Sequence, residues 1–169
     1  MYKNGFTLIE LLVSISILLL LTVLGLTSMF SFNNRQHIIQ AEEMVAEAVY
    51  RAQSLARSGK MGGCKTLDGY QIEFRIDKPT GKIAIQAVCG DGTIDDPEII
   101  ALPNHVSFDV LETETVMVQA ENGILDSDLN RDEQTDESFT LTLTGDYSKN
   151  WQFVLFKEGN LGYGEWIDK

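Results

Sequence analysis

The sequence is poor in residues that interrupt helices and in motifs that mark catalytic sites. It contains three prolines and the first is Pro79, so no proline breaks a helix that forms earlier in the chain. No charged residue occurs between Leu11 and Phe32. No nucleophile motif frames a serine or histidine, and no glycine-rich phosphate loop follows a strand pattern. We therefore do not expect an enzyme.

Basic residues are also scarce. The chain of 169 residues has 13 Lys and Arg against 25 Asp and Glu, which gives a net charge of -12. The whole acidic excess falls after residue 60. Such a surface stays soluble and repels phosphate backbones, so nucleic acid is not an expected partner of the bulk of this region. The length allows one modest domain besides any membrane segment.

The chain has two cysteines, Cys64 and Cys89, on either side of a predicted hairpin. They could be free buried thiols, but if this region is exported to an oxidising compartment, a disulfide between Cys64 and Cys89 is the expected state. No CxxC spacing occurs, and neither His37 nor His105 is near them in sequence. A metal site or thiol catalysis at these cysteines is therefore not expected.

The uncharged run from Leu11 to Phe32 predicts a membrane-spanning helix. At about 1.5 Å per residue it is long enough to cross a hydrocarbon core of about 30 Å. Lys3 is the only basic residue ahead of it, which favours a cytoplasmic N-terminus and an exported remainder. A cleaved signal peptide is the alternative, but its apolar core would be shorter, and Ser28–Phe32 makes a poor cleavage site.

Glu10 lies at the start of the apolar run, where an unpaired carboxylate costs several kcal/mol. No Lys, Arg or His occurs among residues 4–34. A cationic partner would therefore come from another chain or from a chain terminus. The alternative is a carboxylate that reaches the lipid headgroups.

The residues Gly5-Phe6-Thr7-Leu8-Ile9-Glu10 resemble the processing motif of type IV prepilins and of the pseudopilins of type II secretion. The resemblance implies a leader of residues 1–5, cleavage by a prepilin peptidase between Gly5 and Phe6, and N-methylation of Phe6. It also implies that Glu10 pairs with the N-terminal amine of a neighbouring subunit, which would lower the cost of burying the carboxylate and set the register of assembly.

A helical period continues after the apolar run. Small and apolar residues recur at spacings of three and four, which places them on one face of a helix: Ile38, Ala41, Val45, Ala48, Ala52 and Leu55. Glycines from Gly59 onward end the pattern. We predict one helix from about Phe6 to Ser58, with a membrane or filament-core part over 6–32 and an amphipathic part over 33–59 that lies across a sheet.

The remaining residues, 60–169, predict a β-rich head. The segments that alternate or carry strand-forming residues are 70–76, 82–88, 106–111, 115–119, 139–144 and 151–156. The first two predict a hairpin that turns through Pro79-Thr-Gly81. The fold class is therefore α+β, with a long N-terminal helix packed on an antiparallel sheet, as in pilins. Trp151 and Trp166 are interpreted as core or partner contacts rather than as a ligand cage.

The pattern of residues 46–59 resembles the amphipathic stretch of minor subunits, namely the H-type pseudopilin and the FimT and FimU minor pilins. The helix-bending proline of many major pilins is missing. The resemblance implies a structural, minor subunit held in the inner membrane and then in a periplasmic or extracellular filament. Its partners would be other subunits, the prepilin peptidase and the inner-membrane assembly platform. The alternative is a binding module on the same anchor: an adhesin, a DNA-uptake pilin or a calcium-dependent recognition head.

One acidic segment has the spacing of a calcium loop. Its candidate ligands are Asp126, Asp128, Asn130, Asp132 and Glu137. Arg131 stands where an EF-hand has glycine, and the flanks predict strands, so the alternatives are a lone calcium loop and a solvated acidic loop. A second cluster is interpreted as a surface turn: Asp91, Asp95, Asp96 and Glu98.

Overall fold

The computed structural model describes residues 7–109, 114–120, 123–126, 138–146 and 148–169. Its first element is a single helix, α1, that spans Leu8–Arg57 and is 50 residues long. Two bonds close the helix C-terminus, from the Gly59 N–H to the Ala56 carbonyl and from the Lys60 N–H to the Leu55 carbonyl. This arrangement needs a left-handed residue after the cap, and Gly59 has φ of 62°. The long uninterrupted helix is confirmed.

Nine strands follow α1, in two sheets. They are β1 (Leu67–Arg75), β2 (Lys82–Cys89), β3 (Glu98–Ala101), β4 (Ser107–Phe108), β5 (Glu114–Gln119), β6 (Leu125–Asp126), β7 (Ser138–Thr144), β8 (Lys149–Phe156) and β9 (Glu165–Asp168) among the described residues. The first sheet has the order β3-β2-β1-β5-β6 and the second β4-β7-β8-β9. Every strand pair is antiparallel, and the α+β class is confirmed.

The second half of α1 packs against both sheets. The predicted stripe is fully buried from Ile38 to Ala52, and Leu55 is half-buried against the same core. The stripe meets large side chains from both sheets, including Phe74, Phe108, Phe153, Ile72 and Leu141. Burial at about 25 cal/mol per Å² of apolar surface makes this contact the main attachment of the helix to the head.

The first half of α1 packs against no part of the head that the structure describes. Its apolar side chains are exposed, for example Leu8 at 82% and Leu20 at 68%. A window of this segment has a mean hydropathy of 2.6, and none of it is buried inside the chain. By length and composition, α1 can cross a membrane.

The strand predictions were right in outline and wrong at several ends. Five of the six predicted strands form with ends that shift by up to three residues. The sixth, 106–111, forms only over Ser107–Phe108, and residues 110–113 lie outside the described part of the chain. Sequence patterns missed β3, β6 and β9, because strands of two to four residues are too short to show alternation.

Candidate functional site

The helix begins with a capping box formed by Thr7 and Glu10. The Glu10 N–H donates to Thr7 Oγ1 at 3.3 Å, and Glu10 Oε2 accepts from the Thr7 N–H at 3.3 Å. The Thr7 hydroxyl also donates to Glu10 Oε2 at 3.1 Å. The side chain of each residue thus accepts from the backbone N–H of the other, and neither N–H has an intrahelical partner at the start of a helix.

The capping box fixes the Glu10 side chain at the positive end of α1, where the helix dipole favours a carboxylate. A carboxylate has about four lone-pair sites, so it can accept from Thr7 and still receive an ammonium group. The pairing of Glu10 with the N-terminal amine of a neighbouring subunit stays a prediction, and Gly5 and Phe6 lie outside the described residues. The role of Thr7 was missed in the sequence, although Thr-x-x-Glu is the capping-box pattern.

The two cysteines form the predicted disulfide. Cys64 and Cys89 are both buried, and their Cα atoms are 5.2 Å apart. The bond joins the loop that follows α1 to the end of β2. The Tyr70 hydroxyl holds the same loop by donating to the Lys60 carbonyl at 2.8 Å, and burial raises the pKa of this phenol. The exit of the helix is therefore fixed to the first sheet.

The acidic cluster after β2 has structural roles. Asp91 accepts from the N–H and hydroxyl of Thr93, and these bonds lower the pKa of its carboxyl. Asp95 accepts from the Gly63 N–H at 3.0 Å. The surface-turn interpretation is right for Asp91, but Asp95 is half-buried outside the turn, and the inclusion of Glu98 was wrong. Glu98 begins β3 and pairs with Arg51 of the helix at 3.0 Å.

The predicted calcium ligands fall at the edge of the described chain. Asp126 ends the short strand β6. Asp128, Asn130, Asp132 and Glu137 lie outside the described residues. Within the part of the chain that the structure describes, no three His, Cys, Asp or Glu side chains group as metal ligands. Calcium binding at residues 126–137 therefore stays a prediction.

Trp151 and Trp166 pack against each other at the junction of α1 and the second sheet, with ring centroids 4.8 Å apart. Trp151 Nε1 donates to Glu42 Oε2 at 2.8 Å, and the Arg35 guanidinium lies 5.3 Å from the Trp166 ring centroid. Burial raises the pKa of Glu42, against the opposing effect of the Trp151 hydrogen bond. The expectation of core contacts for the tryptophans is confirmed.

Gln53 is a second contact between helix and head that the sequence did not reveal. Its side chain is only 5% exposed. Its Nε2 donates to the Gly123 carbonyl at 3.0 Å and to the Glu158 carbonyl at 2.8 Å. One amide thus ties the backbone just before β6 to the turn after β8. Nothing in the helical pattern marks Gln53 as different from its exposed neighbour Ser54.

Comparison with known proteins gives one family match. Residues 1–26 match the model described as the prokaryotic N-terminal methylation motif. No curated protein matches the chain. No solved structure matches it either. The matched segment contains Gly5, Phe6, Thr7 and Glu10, and it runs into the exposed apolar half of α1. The chain therefore carries a prokaryotic N-terminal methylation motif that extends into the first half of its helix.

Proposed function

We propose that this protein is a structural subunit of a type IV pilus or a type II secretion pseudopilus, most similar in design to minor subunits. The observation that carries the proposal is the methylation motif at the start of a helix whose two halves differ. The first half exposes its apolar side chains, whereas the second half is packed into the head.

The exposed half of α1 needs apolar surroundings, because a contiguous apolar surface of this length is unfavourable in water. Before assembly a membrane supplies them, and in a filament the same helices of neighbouring subunits do. The head stays outside, in the periplasm or beyond. Lys3 as the only basic residue ahead of the span favours this orientation.

The motif also supports a sequence of processing steps. A prepilin peptidase cuts after Gly5, and Phe6 becomes the N-methylated first residue. The assembly platform then extracts the subunit, and Glu10 meets the N-terminal amine of a neighbouring subunit. The lack of proline before Pro79 favours a minor rather than a major subunit. A display role as a binding module gains no support from the tryptophans, since they pack at the helix–head junction.

Calcium is a further part of the proposal. Alternating oxygen side chains from Asp126 to Asp132 and a carboxylate at Glu137 provide the hard ligands that this ion prefers. Bound calcium would offset the local repulsion among these carboxylates.

The processing step is tested by co-expressing the full chain with a prepilin peptidase. N-terminal sequencing and intact mass should give a product that begins with N-methyl-Phe6. Gly5→Val should block the cut, whereas the matched control Asn4→Ala should not. A mature N-terminus after Ser28 would instead identify a secretory signal peptide, and an uncut chain would contradict the assignment to this family.

A further inference from the structure

A small polar cavity lies where α1 leaves the head. Its volume is about 160 Å³. Its walls come from the helix, from the turn before β4 and from the loop after β7, and the lining residues are Asn33, Asn34, His37, Asn104, His105, Val106 and Asp146. Both histidines of the chain line this one cavity.

The polar groups of the cavity are not all satisfied by the protein. His37 Nδ1 is buried and has no hydrogen-bond partner among the residues that the structure describes, while His37 Nε2 lies 3.2 Å from Asn33 Nδ2. A buried polar atom without a partner is costly, which marks this part of the helix as incompletely satisfied by the described protein groups.

His105 has an unusual backbone conformation. Its φ is 63°, which makes it the one non-glycine residue with positive φ in the described parts of the chain. Such a conformation costs about 1–3 kcal/mol and is concentrated at functional sites. It presents the imidazole at the cavity, with Nδ1 3.8 Å from Asp146 Oδ2.

The position of the cavity along α1 matches the depth of lipid headgroups. Asn33 directly follows Phe32, the last residue of the apolar run. At about 1.5 Å per residue, the turn from Asn33 to His37 rises about 6 Å. The headgroup layer of one leaflet is about 5–8 Å thick, as the difference between total and hydrocarbon thickness gives. The cavity therefore opens at headgroup depth when the apolar half of α1 spans a bilayer.

The polar side chains that line the cavity suit a zwitterionic ligand, which carries a phosphate and an ammonium group. Asparagine amides and imidazole N–H groups donate to phosphate oxygens, and the Asp146 carboxylate accepts from an ammonium group. A second cavity of about 510 Å³ shares His105 and Asp146 with the first and is also lined by Lys78. The ammonium group of Lys78 in this adjoining cavity favours a phosphate over a free cation.

We propose that this cavity binds the headgroup of a phosphatidylethanolamine molecule in the leaflet on the side of the head. The amides of the lining asparagines and the His105 imidazole hold the phosphate, and Asp146 holds the ammonium. The lipid orients the head at the membrane before the subunit is extracted. This inference rests on the proposed membrane insertion of α1.

The test uses the full chain in detergent micelles, with bound lipid counted by native mass spectrometry. Phosphatidylethanolamine should be retained at least tenfold more tightly than a diacylglycerol with the same acyl chains. Soluble phosphoethanolamine should compete with the lipid. Equal retention of diacylglycerol would show that acyl chains alone bind, and would overturn the proposal.

Two variants locate the site. His105→Gly removes the imidazole at a φ that glycine adopts freely, so folding should be kept. Asn34→Ala removes an amide, and Asn160→Ala is the control because Asn160 is exposed and does not line the cavity. Lipid retention should fall at least tenfold in the first two and stay unchanged in the third. Equal retention in all three would overturn the proposal.

The failure of the site and the failure of the proposed function give different results. If the full chain fractionates with membranes and is cut after Gly5 but retains no phosphatidylethanolamine, the lipid site is wrong and the filament-subunit function stands. If the chain does not enter membranes at all, the proposed function itself is wrong.

Discussion

Glu10 and Thr7 are joined by hydrogen bonds in both directions, so the carboxylate proposed for subunit pairing is also the cap of its own helix. The two roles need different chemistry. A capping box accepts Glu or Gln at this position, because both side chains carry an acceptor oxygen. Pairing with an amine across subunits needs the negative charge. Substitutions of Glu10 can therefore separate the two roles.

Glu10→Gln should keep the helix cap and lose the charge, whereas Glu10→Ala should lose both. We expect both variants to be cleaved after Gly5 and both to be absent, or reduced at least tenfold, in sheared filaments. The measurement is immunoblotting of the membrane and filament fractions from the same cells. If Glu10→Gln enters filaments at the wild-type level, charge pairing is not what Glu10 provides.

Thr7→Ala is the matched control, because it removes the cap and leaves the charge. Loss of a threonine cap costs about 1 kcal/mol of local helix stability. Incorporation should therefore fall by a few-fold at most. If Thr7→Ala abolishes incorporation as fully as Glu10→Ala, the orientation of the carboxylate by Thr7 is as important as its charge.

The sequence predicted those parts of the fold that depend on residues close together along the chain. The buried stripe of α1 was visible because the period from Ile38 to Ala52 depends only on helix geometry. Glycine at residue 59 was visible as a stop for the same reason. Gln53 and the Glu42–Trp151 bond were not visible, because their partners lie 70 to 109 residues away and only the packed fold brings them together.

The Gln53 contact predicts a loss of stability when its amide is removed. Gln53→Leu leaves the Gly123 and Glu158 carbonyls without this donor, which costs about 1–3 kcal/mol. The melting temperature of the full chain in micelles, followed by tryptophan fluorescence, should fall by about 2–10 °C. Ser54→Ala is the control, since Ser54 is exposed, and its melt should stay unchanged. Equal melts for both variants would show that the contact adds no stability.

Because of the disulfide, we expect the melting temperature of the protein to be lower under reducing conditions. Cys64 and Cys89 are separated by 25 residues, and closing a loop of this length stabilises a fold by about 3 kcal/mol in the chain-entropy account. Reduction with dithiothreitol should lower the melting temperature by about 6–12 °C. The double variant with Cys64→Ala and Cys89→Ala should melt at a reduced temperature with or without reductant. A wild-type melting temperature that does not change with reductant would contradict the disulfide.

The raised pKa of Glu42 should make stability depend on pH with the opposite sign to that of a salt-bridged carboxylate, whose pKa is lowered. Burial raises the pKa of Glu42 above the ordinary 4.5, so the folded state binds this proton more strongly than the unfolded state. This stronger proton binding adds to the free energy of unfolding below pH 4.5. The contribution is lost as the pH rises through the pKa of Glu42 in the folded state. Glu42→Gln keeps an acceptor for Trp151 and carries no charge to bury. Its melting temperature should exceed the wild-type value by about 1–3 °C at pH 7.

The same comparison more than one pH unit below 4.5 should give no difference, because Glu42 is then almost fully protonated in both states. Glu47→Gln serves as the control, since Glu47 is an exposed carboxylate of the same helix. It should show no stabilisation at either pH. A Glu42→Gln variant that is less stable than wild type at pH 7 would show that the charge strengthens the Trp151 bond by more than its burial costs.

Calcium should stabilise the head if residues 126–137 bind it, because a ligand that binds only the folded state raises its stability by mass action. Extracellular calcium modules have dissociation constants of about 10⁻⁴–10⁻³ M, so 10 mM calcium should raise the melting temperature by roughly 3–10 °C. Magnesium at the same concentration should do less, because it gives up its water shell reluctantly. Asp128→Asn with Asp132→Asn should remove the calcium effect, and Asp96→Asn in the other acidic cluster should not. A wild-type melt unchanged by calcium would identify the segment as a solvated acidic loop, since charge alone attracts the ion too weakly to stabilise the fold.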